Sequence, residues 1–189
     1  MLTNNSIMSS RIIAHNNNYQ DLLCYKKSVV IYDLTYLFCS RYIDKHDRTH
    51  DQMVQAARSG KQNIVEGTID SGSSVEMGIK LLNVARGSLK ELIEDYKDYL
   101  RVRNMRLWEP NSKEVEAMRR IGVVKQESEY FTSLASTRND ETIANMAIVL
   151  IYQADVLIIK YIEYLEDKFK KEGGIKEMMY KIRTQERGY

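Results

Sequence analysis

A single proline in 189 residues is too few for a fold made of many turns. Nine glycines do not supply the connections of a β-sandwich or barrel. The two cysteines, Cys24 and Cys39, fall on one expected helix, well apart along its axis, so they form no disulfide framework. Residues 1–20 are polar and Asn-rich where a secretion signal would carry an apolar core, and a cytoplasmic protein is expected. The longest apolar run, Met146 to Ile159, is interrupted by Gln153 and Asp155 and is too short to span a bilayer, so no membrane partner is expected. An excess of one charge is missing as well. Twenty-eight basic residues face 26 acidic ones, for a net +2, so no global basic field announces nucleic acid.

The chemistry of an enzyme is missing too. Three histidines occur, none after His50, which leaves Ser59 and Ser88 without a general base. No Glu-x-x-His unit exists for a bundle-type di-iron centre. Gly60-Lys61 sits mid-helix without the rest of a phosphate loop. His46 and His50, flanked by Asp44, Asp47 and Asp51, have a spacing that shares a helical face and suits a metal, but they read better as a solvated connection. No enzyme, cofactor or metal site is expected.

What is present is helical periodicity. Cys24, Ser28, Ile31, Thr35, Phe38 and Tyr42 form the seam of a first helix, from about Asn18 to Tyr42. Thr49 with Gln52 makes a capping box for a second helix that runs to Glu66, with Gly67 as its left-handed stop. Ser73 with Glu76 caps a third, whose seam of Gly78, Leu82, Ala85, Leu89, Leu92, Tyr96 and Tyr99 fades near Asn104. At ~45 Å against ~24 Å, the third helix outruns the second and leaves a face uncovered. Pro110 breaks the pattern. A short helix from Lys113 to Ile121, stopped at Gly122, is a suitable cover for that face, and Gly122 to Arg138 reads as loop with some short helix. Asn139 or Asp140 caps the last long helix, seamed by Ile143, Ala147, Leu150, Ala154, Leu157, Tyr161 and Tyr164 and ended by Gly173-Gly174. A further short helix is expected over residues 175–183. The fold class is all-α: an antiparallel up-down four-helix bundle over residues 18–183, with an insert at 105–138 between helices three and four. Residues 1–17 are expected to be a disordered lead-in and 184–189 a tail.

Helices two and three carry small residues at Ala56, Ala57, Ser59, Gly60, Ala85, Gly87 and Ser88. A helical glycine costs about 1 kcal/mol relative to alanine, so Gly60 and Gly87 are expected to permit close backbone approach. Glu66 lies in the last turn of its helix, where the macrodipole disfavours an anion. Either Asn63 and Glu66 are held by Ser88 or Arg86 and lock the hairpin, or that turn is solvated. In both readings their role is structural.

Two local patches concentrate positive charge. From Tyr99 to Lys125 seven basic residues, among them Arg101, Arg103, Arg106, Arg119 and Arg120, face three acidic ones. From Lys168 onward seven basic residues, Lys168 and Lys171 included, again face three. Joined in an oligomer, such patches make a phosphate-binding stripe. Thirteen tyrosines against three phenylalanines suit half-buried positions at interfaces and favour a homo-oligomer.

The pattern Gln52-x-x-x-Ala56-x-x-Ser59-x-x-x-Asn63-Ile64-x-Glu66-Gly67, followed by Ala85-x-Gly87-Ser88-Leu89-x-Glu91-Leu92, resembles the bacterial four-helix bundle proteins. That group includes proteins encoded in rRNA intervening sequences and the accessory variability determinants of diversity-generating retroelements. Ile143-Ala144-Asn145 through Glu172-Gly173-Gly174 resembles the longer branch with a suffix region. The sequence departs from the pattern at Val54-Gln55, where many members are basic, and at Gly60-Lys61, where many have Ile-Pro. The resemblance implies an up-down protomer that assembles as a homopentamer, without catalytic residues. For the accessory proteins it implies RNA or DNA and a reverse transcriptase as partners. Asn63, Glu66, Gly67, Gly87 and Ser88 stand in it as packing residues. The expected function is a non-catalytic, homo-oligomeric, nucleic-acid-associated adaptor contacting phosphates through Arg101, Arg103, Arg106, Arg119, Arg120, Lys168 and Lys171. The alternative is a protein-interaction bundle that uses its tyrosine-rich faces.

Overall fold

The computed structural model describes residues 18–173 together with 179, 180, 183 and 184. The lead-in expected over 1–17, most of the short helix over 175–183 and most of the tail lie outside the described residues. The chain is all-α: six α-helices and no strand among the described residues. After a 3-10 turn at Tyr19–Asp21 come α1 (Leu23–Tyr42), α2 (Arg48–Asp70), α3 (Val75–Val102), α4 (Lys113–Val124), α5 (Ser128–Ser136) and α6 (Asp140–Glu172).

The four long helices pack in a ring, α1 on α2, α2 on α3, α3 on α6 and α6 on α1, while α4 lies on α6 and α5 on α1. The apolar 4-3 spacing dictates this arrangement. On α1, Ile31, Leu34 and Phe38 are wholly buried and meet Met53 and Ile64 of α2, Leu82, Leu89 and Leu92 of α3, and Leu150 and Ile158 of α6 in one core. Every residue from Ile143 to Ile151 is buried. A helix apolar on all sides needs neighbours on all sides, and α4 supplies the additional cover. Residues Asp140–Lys171 are also long and apolar enough to cross a membrane by length and composition, and 61% of the apolar window is buried within the fold.

Tyr96 is wholly buried and donates its hydroxyl to Thr35 Oγ1 at 3.0 Å, tying α3 to α1. Tyr96→Phe is expected to lower stability by about 1 kcal/mol, the net worth of one such bond, measured by urea denaturation. Arg86 donates to Asp155 at 2.6 Å and joins α3 to α6.

Several expected boundaries move, each for a local reason. The first helix starts at Leu23 because a 3-10 turn occupies residues 19–21. α2 begins at Arg48, because Asp47 caps it by accepting from Thr49 N at 2.9 Å, so the Thr49–Gln52 box is not used. Gly67 does not end α2. It is buried, and its φ lies outside the left-handed region, which among the described residues only Asn104 and Gly173 occupy. The helix continues to Asp70 because Gly67 faces Gly78 across the hairpin: a Cβ on Gly78 would stand 2.7 Å from Gly67 O and 2.7 Å from Ser71 Cβ. Ser74, not Ser73, caps α3, accepting from Met77 N at 3.2 Å, and Glu76 pairs with Lys80 at 2.7 Å. α4 runs through Gly122 to Val124, and residues 128–136 form α5.

The hairpin is antiparallel. Gly67 meets Gly78 near the turn, while Gly60 meets Leu89 and Ser59 meets Ser88 further along. Gly60 is therefore a point of close approach. Gly87 is not: nothing lies within 4 Å of a Cβ placed there, because it sits about 200° around the helix from the buried Ala85. With α2 at about 34 Å and α3 at about 42 Å, the length mismatch is smaller than expected.

Candidate binding groove

The residues singled out in the sequence do not converge on one site. Arg101 is paired with Asp98 at 2.8 Å, Arg106 with Glu114, and Arg120 with Glu116 at 3.6 Å. Arg103 lies over the Tyr99 ring at 3.8 Å and its charge helps to lower the Asp47 carboxyl, while Arg119 has no carboxylate partner among the described residues. Lys168 and Lys171 belong to the other end of the molecule. Tyr99 donates to Asp140 at the start of α6, whereas Tyr161 lies against Thr68 and Ser71 beside the α2–α3 turn, and the two lysines come later still. Arg101 and Arg103 stand at the opposite pole from Lys168 and Lys171, while Arg119 lies between them, beside Gln153 of α6.

The hairpin motif forms a relay. Asn63 Nδ2 donates to Ser59 O at 2.9 Å and to Ser59 Oγ at 3.2 Å, and Ser59 Oγ meets Ser88 Oγ at 3.0 Å. Glu66 is exposed and takes no part, since Arg86 has turned to Asp155. His46 lies in the connection before α2 and His50 in its first turn, where its Nδ1 stands 3.1 Å from Asp51 Oδ1. Among the described residues no three His, Cys, Asp or Glu side chains gather around a point. Cys24 and Cys39 are free and buried, and burial raises their thiols to about 11 and about 12.

One concavity brings together residues that the sequence does not mark as a group. It is a groove of about 880 Å³ running along α6, walled by the 107–110 segment, α4 and the start of α1. Its construction begins with Asn145, a lone amide inside the apolar run of α6 and almost wholly buried. Asn145 Oδ1 accepts from Trp108 N at 2.7 Å, and its Nδ2 donates to Arg106 O at 2.9 Å and Glu141 O at 2.8 Å. This clamp straps the segment after α3 to the first turns of α6. Val115 and Met118 then bury α4, and Gly122 gives Gln153 room, since any Cβ there would collide with its amide.

Carbonyls in the last turns of α4 are met by side chains, and those of Gly122 and Val123 have no partner within the helix. Gln153 Nε2 donates to Arg119 O at 2.9 Å, Gln126 Nε2 to Val123 O at 3.0 Å, and the buried Lys27 ammonium to Gly122 O and, at 3.5 Å, to Lys125 O. A cation at a helix C-terminus is favoured by the macrodipole. Burial nevertheless lowers the Lys27 ammonium from 10.5 to about 8. The folded chain therefore binds fewer protons than the unfolded chain between pH 8 and 10.5. The penalty is full below pH 8 and fades as pH rises. Wild type is expected to gain stability relative to Lys27→Met between pH 8 and 10, as read from denaturant midpoints at each pH.

Leu23, Leu107, Val123, Tyr152 and Val156 line the groove and remain 44–72% exposed. Within its wall, closed off from solvent, Gln126 Oε1 and Gln153 Oε1 have no hydrogen-bond partner. One sequence signal for Lys27 existed: it precedes Ile31, Leu34 and Phe38 at helical 4-3-4 spacing and so lies on the seam. Asn145 offered a similar hint as a polar residue inside an apolar run. Compared with known proteins, the chain matches no family model, no curated protein and no solved structure.

Proposed function

We propose that the chain is a non-catalytic binding protein whose working surface is the groove along α6. The observation that carries this reading is an apolar trough with an exposed apolar rim, supported by the Asn145 clamp and the side chains at the end of α4. Concave, mostly apolar sites with a few oriented polar groups are where small ligands bind. The scaffold in this reading is a four-helix bundle of α1, α2, α3 and α6. The ring of pairings among those helices supports it, with residues 105–138 as the elaboration that makes the groove. Assembly as a homo-oligomer belongs to the same reading. The half-exposed tyrosines Tyr36, Tyr152 and Tyr164 support it, and a homopentamer would have five times the 22.1 kDa mass of one chain.

The test uses two valines of equal exposure, Val156 in the groove and Val84 on α3. Native mass spectrometry of protein isolated from its own cells is expected to show added mass on wild type and Val84→Glu, lost in Val156→Glu. Equal added mass on all three, or none on any, would overturn the reading.

A second reading, an adaptor for RNA or DNA with a reverse transcriptase as partner, has one observation in its favour. At the pole where α1, α3 and α5 end, Arg41 donates to Ala135 O and Arg103 to Tyr99 O, while Tyr42 donates to Arg138 O. Arg41 and Arg138 have no carboxylate partner among the described residues, and Arg103 acts on the Asp47 carboxyl only through its charge. Binding of labelled RNA and duplex DNA across a salt series tests this reading. Replacing all three by glutamine should flatten the slope of log K against log salt by about 3 for duplex DNA. Absence of binding at low salt would overturn it.

A further inference from the structure

The helix that walls the groove is lightly held. Val115, Met118 and Gly122 are the buried residues among the twelve of α4, and α6 is the one helix against which it packs extensively. Its other ties are the Lys27 ammonium of α1 on Gly122 O and the exposed pair of Arg106 with Glu114. Residues 109–111 before α4 and 123–125 at its end are exposed, so water can serve their main chain in more than one conformation. A short helix with few buried contacts opens at a lower free energy than the core beside it.

The joint between α4 and α6 also bears a cost. Among the described residues only two buried side-chain oxygens lack a hydrogen-bond partner, Gln126 Oε1 and Gln153 Oε1, and both belong to this joint. Each has given up water and gained no donor, which weighs against the closed arrangement. On either side the chain is better anchored. Asn145 pins the preceding segment through Arg106 and Trp108, and Phe131 and Ala135 bury α5. What α4 covers is apolar: Ile148 and Val149 of α6, 5% and 6% exposed, line the groove beside Val115.

Resting on the groove reading above, we infer that α4 is the gate of the groove. It lifts off α6 as one unit about its two exposed flanks, while the strap at Asn145 and the long helices stay in place. Opening gives both glutamine oxygens water and bares Ile148 and Val149 to an entering occupant. Closing buries them again at the expense of two unpaired acceptors, which keeps the open arrangement within reach.

Hydrogen exchange of the full chain in sub-denaturing urea tests the gate without any ligand. The helical amides of α4 are expected to share one opening free energy and one urea slope, both below those of α1 and α3. Tyr96→Phe, whose lost bond joins α1 to α3, should speed exchange in those two helices about fivefold and leave α4 unchanged. Gln153→Met, which keeps the length of the side chain and removes the unpaired oxygen, should slow exchange throughout α4 about fivefold.

If Tyr96→Phe speeds α4 as much as α1 and α3, α4 opens only with the whole fold and the gate is overturned. Exchange in α4 without any urea slope would mean fraying instead of a unit movement, and would overturn it too. Unchanged or faster α4 exchange in Gln153→Met would overturn the joint as the source of the opening. A gate overturned in these ways, on a chain whose native mass shows an occupant lost in Val156→Glu, leaves the groove as the working surface. A separate α4 opening with no such occupant leaves the movement and overturns its role as a gate.

Discussion

Gly78→Val is expected to cost the fold about 3 kcal/mol, the upper part of the range for overpacking a tight contact. The clash is against backbone. A Cβ at residue 78 would stand 2.7 Å from Gly67 O and 2.9 Å from Ser71 Cα, so no side-chain rotation relieves it. α2 and α3 would have to separate beside the turn that joins them, where Thr68 and Ser71 are buried. Gly87→Ala, in the same helix, is expected to have the opposite sign. Nothing occupies the space beside Gly87, and alanine recovers about 0.5–1 kcal/mol of helix propensity and unfolded-chain entropy. Guanidinium denaturation of both variants checks the pair. A stable Gly78→Val protein would mean that the hairpin is not the close-packed seam described here.

Phe131→Ala is expected to lose about 3–5 kcal/mol, the usual cost of deleting a wholly buried phenylalanine, from a total that for a domain is about 5–15 kcal/mol. Phe131 and Ala135 are the two buried residues of the nine-residue α5. Apart from them, α5 is tied to α1 by Ser128 on Asp33 and by Arg41 on Ala135 O. The Phe131 ring also faces the Lys27 ammonium at 5.5 Å, so its loss is felt at the end of α4. Denaturant midpoints measure the global cost. Amide exchange over residues 128–136 shows whether α5 detaches before the rest, as a short helix with few buried contacts should. A midpoint shift of less than 1 kcal/mol with unchanged exchange would place α5 outside the cooperative unit.

The long helices were legible because burial on one side imposes a period that a reader can count. Ile31 and Phe38, Leu82 and Leu89, Ile143 and Leu150 stand where that period puts them. Helix ends were less legible. Asp47 or Thr49, Ser73 or Ser74: either member of each pair has the oxygen a cap requires, and the choice depends on how the chain enters the helix. Glycines were ambiguous for a related reason. Gly60, Gly67, Gly78 and Gly87 look alike in sequence, yet three are buried and one faces solvent. Only the facing helix distinguishes them.

Charge was the least legible. Arg101 and Arg120 find their carboxylates within one helical turn, at Asp98 and Glu116, which spacing alone makes available. Arg106 finds Glu114 across a bend. A count of basic residues is therefore a poor guide to which of them remain available to a partner.

The sequence by itself determined that the chain is helical throughout its long segments, the approximate place of those helices and most of the stripe each one buries, although Tyr164, on the expected seam of α6, is exposed. These follow from local propensity and from the separation of apolar and polar residues over a few turns. The tertiary structure alone decided the groove and its chemistry. Lys27 reaches Gly122 across 95 residues, Trp108 reaches Asn145 across 37, and Gln153 reaches Arg119 across 34. The periodicity of any one segment does not contain such contacts. They exist because a strapped segment and a short helix fold back onto α6, bringing two amides and an ammonium to one end of α4. The unsatisfied oxygens of Gln126 and Gln153 are a consequence of that meeting, since a side chain has to be buried by other parts of the chain before it can lack a partner.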